Sequence, residues 1–192
     1  MSKIKFAISG TIGSGKSTVL NYLREKGYTV FSCDEYNAYL LKKNNEGYLK
    51  IKEHFPEVFI GDELDKKALS AIVFKDKTKK ALLENIMHPL IIAEMLRQRD
   101  DNEVFFAEVP LLFEANLEHY FDISLLVVTK EDLAIERLSK RGFDYQSAKM
   151  RIANQMPVEI KMKRADEIIY NNGSLFDLYK QIDEFLNRYV RK

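Results

Sequence analysis

The chain has 192 residues, and its 30 Lys plus Arg against 29 Asp plus Glu leave a net charge of +1. That balance excludes a global electrostatic pull toward nucleic acid or anionic membrane, so any anion site has to be built locally. The one cysteine, Cys33, cannot form an internal disulfide, and the longest apolar runs, around Ile123 to Val128, are strand-sized against the roughly 20 residues that span a bilayer. Only Phe6-Ala7-Ile8 precedes the first glycine loop as an apolar stretch, so we expect no signal peptide. The expected protein is cytoplasmic, monomeric or weakly self-associating, with neither nucleic acid nor membrane as a partner.

In chain order, Lys3 to Ser9 is a β-branched and aromatic run ending at Gly10, the pattern of a buried strand feeding a turn. Val19, Leu20 and Leu23 then carry helical spacing from Ser17 to a stop at Gly27, and Tyr28 to Ser32 alternates as a second strand. Residues 34–100 are rich in Lys, Glu and Leu, with helical spacing at Leu82, Ile86 and Leu90 and no strand pattern, which predicts a helical insertion. Three short apolar runs follow, Glu103 to Val109, Asp122 to Val128 and Glu167 to Tyr170. The tail from Ser174 to Val190 sets Leu175, Leu178, Ile182, Phe185 and Leu186 on one helical face. Alternating strand and helix imply an α/β fold built on a five-stranded parallel sheet.

Gly10-Thr11-Ile12-Gly13-Ser14-Gly15-Lys16-Ser17 fits GxxxxGK followed by Ser or Thr, between a strand and a helix. In such a loop the glycines let backbone amides approach phosphate oxygens at a helix N-terminus. The Lys16 ammonium then reaches the β- and γ-phosphates, and the Ser17 hydroxyl is placed to ligate a bridging Mg²⁺. The fold class is therefore a P-loop NTPase-type three-layer α/β fold, with ATP the expected phosphoryl donor. A second motif, Thr129-Lys130-Glu131-Asp132, looks like the guanine-reading TKxD of GTPases, but no Asp in the chain has Gly three residues later, as the GTPase switch requires. A strand running into a helical first turn accounts for the same residues.

Asp34 lies just past the second strand, at the sheet end where open α/β sheets place their ligands. Its carboxylate is either a base for an incoming hydroxyl or the N-cap of a helix starting near Glu35. Glu108 ends another strand, either orienting Mg²⁺ through water or capping the strand end. Arg137 and Arg141, four apart, either clamp phosphate with Lys140 and Arg151 nearby or form a solvated helix face. Leu111, Leu112 and Phe113 read as core, leaving Glu114 as the chemically interesting member of that run, while His54, His88 and His119 lack metal-ligand spacing.

Over nearly its whole length the sequence resembles the dephospho-coenzyme A kinase family. The matches are the loop from Gly10 to Thr18, Asp34 after the second strand, His88-Pro89, and Pro110-Leu111-Leu112-Phe113-Glu114. They continue through Arg137, Arg141, Arg151 and Gln155 to Ala165-Asp166 and Asn171-Asn172-Gly173. The resemblance implies ATP-dependent phosphorylation of the ribose 3′-hydroxyl of dephospho-coenzyme A, the final step of coenzyme A synthesis. It also implies a nucleotide core (about 1–33, 101–136 and 164–192), a helical substrate domain (about 34–100) and a lid (about 137–163).

On that resemblance Asp34, Lys16 and Arg141 are the catalytic residues, and Gly13, Ser14, Gly15, Lys16, Ser17, Thr18, Arg137 and Asn171 bind the nucleotide. Asp34, His88 and Glu114 contact the acceptor, with Mg²⁺ at Ser17 and, through water, Glu108. The chain departs from the family pattern at Ser32, where many relatives carry a second acid, at Thr11 in place of a loop glycine, and at Ala134 in place of a glutamine. A related nucleoside or nucleoside monophosphate kinase is the alternative within the fold, and a non-catalytic nucleotide switch is the alternative outside it.

Overall fold

The computed structural model describes residues 3–190. In chain order the elements are β1 (Ile4–Gly10), α1 (Lys16–Glu25), β2 (Thr29–Ser32), α2 (Cys33–Leu40), α3 (Glu46–His54), β3 (Phe59–Ile60), β4 (Glu63–Leu64), α4 (Lys66–Lys75) and α5 (Lys77–Asp101). They continue with β5 (Val104–Glu108), β6 (Ile123–Val128), α6 (Glu131–Ser139), α7 (Tyr145–Ala153), α8 (Val158–Arg164), β7 (Glu167–Tyr170) and α9 (Leu175–Tyr189). The chain divides into two compact units, one reaching to Phe31 and resuming at Arg99, the other running from Ser32 to Gln98.

The first unit is built on the five-stranded sheet, in the order β2-β5-β1-β6-β7. β1 is central and runs parallel to both β5, with Ile4 opposite Val104, and β6, with Gly10 opposite Val127. The strands are apolar on both faces because helices cover both, as parallel sheets require. Phe6 stacks on Phe106 with ring centroids 4.6 Å apart and meets Phe185 edge-on at 5.2 Å. Around them pack Ile8, Val19, Leu20, Leu23, Leu125, Val127, Leu178, Ile182 and Leu186, all buried. Chain order turns back at β1, since α1 leads to one side of it and β6 follows on the other. Ligands of open α/β sheets bind at such a switch point, beyond the carboxyl ends of the strands, and the glycine loop begins there.

α9 closes the unit behind a reciprocal cap: the Ser174 hydroxyl accepts the Asp177 N–H at 3.2 Å, and the Asp177 carboxylate accepts the Ser174 N–H at 3.0 Å. Its expected apolar face holds from Leu178 to Leu186, but Leu175 is 59% exposed. This leucine lines a surface cavity instead of joining the core. Leu111 likewise departs from its expected core position at 47% exposed, while Leu112 and Phe113 are fully buried.

The second unit has its own core of Leu40, Ile51, Phe55, Val58, Leu69, Ile86 and Met87. Helices dominate it, but it also holds a strand pair that the sequence does not predict: β3 and β4 are antiparallel, with Phe59 opposite Leu64. Two-residue strands are too short to show alternation, and the only local sign is Gly61, which takes φ +60° at the turn. Pro89 lies inside the 25-residue α5, where its ring nitrogen cannot donate to the carbonyl one turn back.

Truncating Phe185, which is buried edge-on against Phe6, to alanine is expected to cost about 3 to 5 kcal/mol by urea unfolding, and a loss below about 1 kcal/mol contradicts the packing described.

Candidate active site

An anion-binding loop has to turn its N–H groups inward, so its carbonyl oxygens point outward and need donors behind them. The loop between β1 and α1 meets both requirements. Gly13 and Gly15 adopt φ of +77° and +91°, conformations that L side chains rarely take. At Gly15 a Cβ would lie 2.2 Å from Asn171 Nδ2, and at Gly10 one would lie 2.5 Å from Val127 O, so both glycines are also required by close approach. Among the described residues the N–H groups of Gly13, Gly15 and Ser17 have no hydrogen-bond partner. They are the donors available to an anion at the start of α1, where the helix dipole adds its positive end.

Behind the loop stand Arg137 and Asn171. One Arg137 terminal nitrogen (Nη1) donates to Gly13 O at 3.2 Å, Ser14 O at 3.3 Å and Thr129 Oγ1 at 3.4 Å, and the other (Nη2) donates to Asn171 O at 3.0 Å. Asn171 Nδ2 donates to Ser14 O at 2.8 Å from a side chain only 6% exposed. The guanidinium therefore engages the carbonyl side of the loop, and the fixed fork of donors unique to arginine makes that possible. Thr129 and Lys130, the residues that resemble a guanine-reading motif, pin this corner: Thr129 Oγ1 donates to Asn171 O at 2.9 Å and the Lys130 N–H to Asn172 Oδ1 at 2.8 Å.

On the ligand side, the Lys16 ammonium lies across the loop, donating to Gly10 O at 3.1 Å and Thr11 O at 3.4 Å. The Ser17 hydroxyl is exposed in the first turn of α1. Gly15, Thr18, Arg137, Lys140, Arg141, Asn171, Gly173 and Leu175 line a cavity of about 380 Å³, which is locally cationic in a chain of near-zero net charge. α6 ends at Ser139, so Arg141 lies two residues beyond it and does not share a helical face with Arg137, as their spacing suggests. Both still reach the cavity, Arg141 as an exposed side chain. Lys140 also meets Glu136 at 2.6 Å, and this hydrogen bond holds the Glu136 carboxyl below its ordinary range.

Glu108 closes β5 at 7% exposure, opposite Ile8 of β1. Glu114 is committed elsewhere: its carboxylate lies 2.7 Å from the ammonium of Lys161 on α8, a lysine with no exposed surface. The pair shields both charges, and removing either partner leaves the other buried and unpaired. Lys161 is a residue that sequence reasoning misses, because nothing in Lys161-Met162-Lys163-Arg164 marks one cation as interior.

In the second unit, α2 begins at Cys33 and Ser32 caps it, its hydroxyl accepting the Glu35 N–H at 3.3 Å. The capping role open to Asp34 thus belongs to Ser32. Asp34 sits in the first turn with its carboxylate exposed and, among the described residues, without a hydrogen bond or ion pair. His88 is an exposed residue of α5.

The dephospho-CoA kinase family model matches residues 4–177. A dephospho-CoA kinase of Bacillus cereus is 36% identical over 194 residues, covering 97% of each chain. The solved structure of TT1252 from Thermus thermophilus superposes with a TM-score of 0.86 at 33% identity, covering 99% of this chain and all of the other. Dephospho-CoA kinase from Campylobacter jejuni gives a TM-score of 0.65 at 27% identity, covering 96% of both chains.

Arg137→Lys keeps the charge but not the fork that reaches four acceptors, so nucleotide affinity is expected to fall about tenfold with the fold retained. Calorimetric titration with ADP checks this, and unchanged affinity contradicts the bracing role.

Proposed function

The chain belongs to the dephospho-CoA kinase family, and on that premise we infer how its residues divide the work of moving the ATP γ-phosphoryl group to the ribose 3′-hydroxyl of dephospho-CoA. The observation that carries the reading is the loop: it holds three unpartnered amides and Lys16 at a helix N-terminus, and a cationic cavity opens beside its Gly15.

Gly13, Ser14, Gly15, Lys16, Ser17 and Thr18 hold the phosphate tail, with the N–H groups of Gly13, Gly15 and Ser17 as the open donors, since those of Ser14 and Thr18 already donate to Thr11 O and Gly15 O. Lys16 exchanges its bonds to Gly10 O and Thr11 O for the β- and γ-phosphates and neutralises charge as the transfer proceeds. Arg141, an exposed side chain lining the cavity, adds positive charge against the phosphates. Arg137 acts mainly through the loop it braces, and Asn171, Gly173 and Leu175 border the nucleoside end of the cavity.

Asp34 is the general base, since it is an acid just beyond the second strand and the cap of its helix is supplied by Ser32. His88 serves acceptor binding in the helical unit, and Glu114 does so indirectly, through the loop its ion pair holds. Residues 32–98 form the acceptor unit, and the segment carrying α7 and α8 forms the lid.

Mg²⁺ fits the residues present. The exposed Ser17 hydroxyl beside Lys16 provides one hard oxygen, and this ion characteristically takes its remaining ligands from phosphates and water. Ser17 would hold it with Glu108 acting through water, and the ion would supply neutralisation of the developing phosphate charge. Among the described residues no helix is long and apolar enough to cross a membrane. A chain with a single cysteine can form no internal disulfide, which supports reading a reducing, cytoplasmic setting.

The test is ADP release across an acceptor panel. Turnover is expected with dephospho-CoA, and equal or greater turnover with nucleosides or nucleoside monophosphates favours the nucleotide-kinase alternative. In the same assay Asp34→Asn is expected to cost about 10²- to 10⁴-fold in kcat with ATP affinity nearly unchanged. Unimpaired turnover removes Asp34 from the chemistry.

A further inference from the structure

One loop amide is taken up by a side chain from outside the loop. The Ile12 N–H donates to Gln155 Oε1 at 2.8 Å, across 143 residues of sequence. Gln155 follows α7, and its own backbone N–H bonds to Ile152 O at 3.1 Å, so the root of the side chain is fixed to the end of that helix. The Ile12 side chain packs into the same segment, against the cluster of Ile135, Leu138 and Ala148 with Phe143 and Ile152. The loop is thus tied to α7 twice, once by apolar contact and once by a single directional bond.

The position of this bond along the loop indicates what it controls. Lys16, the residue whose ammonium reaches the β- and γ-phosphates, lies against Gly10 and Thr11, so the first half of the loop is the γ-phosphate end. Ile12 adjoins that end, and the next amide, that of Gly13, is one of the unpartnered donors. A rotation of the Thr11–Ile12 peptide would misdirect its neighbour. A neutral amide suits the task, because it accepts the N–H without bringing negative charge beside the triphosphate.

We propose that Gln155 is a positioning residue for phosphoryl transfer, holding the γ-phosphate end of the loop in its transfer-ready conformation and coupling it to α7. This deepens the ATP reading and rests on it.

Gln155→Met and Gln155→Glu provide the test, with kcat measured alongside the affinities for ADP and a non-hydrolysable ATP analogue. Gln155→Met keeps the length and loses the acceptor, so kcat is expected to fall about five- to tenfold while ADP, which lacks the γ-phosphate, binds within about twofold of the parent chain. Gln155→Glu keeps an acceptor but adds a charge, so at pH 7 the analogue weakens relative to ADP. That ratio returns toward the parent value, measured at each pH, as acidification neutralises the carboxylate. Wild-type kcat in Gln155→Met overturns the proposal, as does equal weakening of ADP and analogue in either variant, which marks a spacer. If Gln155→Met does not fold, the Gln155→Glu ratio decides alone, and an unshifted ratio is contrary. Failure of the ATP reading is distinguishable, because the unmodified chain would then bind neither nucleotide.

Discussion

Turning peptide N–H groups toward an anion forces the opposite carbonyls to find donors, and the residues around the loop are arranged to supply them. Arg137 and Asn171 satisfy the oxygens of Gly13 and Ser14 from behind, and Gln155 takes up the Ile12 N–H at the flank. With those bonds made, the Gly13, Gly15 and Ser17 amides are left open for phosphate, and the main rearrangement on binding is the release of Lys16 from Gly10 O and Thr11 O. Preorganisation of this kind suits phosphoryl transfer, in which the protein contributes mostly position and charge. The braces come from α6, the turn after α7 and the end of β7, so the order of the sheet is what assembles the site.

The same arrangement explains why the glycines cannot be replaced. Gly15 is fixed both by its left-handed φ and by the Asn171 amide pressed against it, so the residue that braces the loop is also the one that would exclude a side chain there. A side chain at Gly10 would strike Val127 O, directly opposite it in β6 where β1 ends. Glu114 and Lys161 do comparable work at a different corner, where a buried ion pair joins the segment after β5 to α8. Pairs of this kind are stringent about both partners, since either charge left alone is costly.

Local chemistry made much of this legible in the sequence. The strands flanking the loop, the loop itself and the terminal helix each depend on neighbouring residues, and the patterns at Lys3 to Ser17 and Leu178 to Leu186 carry them. Less was legible where the deciding contact is remote. Nothing in the sequence places Arg137 against Gly13 and Ser14, more than 120 positions away, or selects Lys161 from its basic neighbours as the partner of Glu114. The β3–β4 pair escaped because two residues show no period, and Leu175 was set on the apolar face because helical spacing alone does not say which turns of a helix are covered. Asp34 is an intermediate case: position alone left it as base or cap, and the Ser32 hydrogen bond removed the second option.

The most direct measurement is the backbone amide spectrum of isotope-labelled protein titrated with an ATP analogue and Mg²⁺. The account predicts large shifts and slowed hydrogen exchange at Gly13, Gly15 and Ser17, with the Ile12 amide protected before and after nucleotide is added. Perturbations confined to other parts of the chain, with those three amides unmoved, would contradict it.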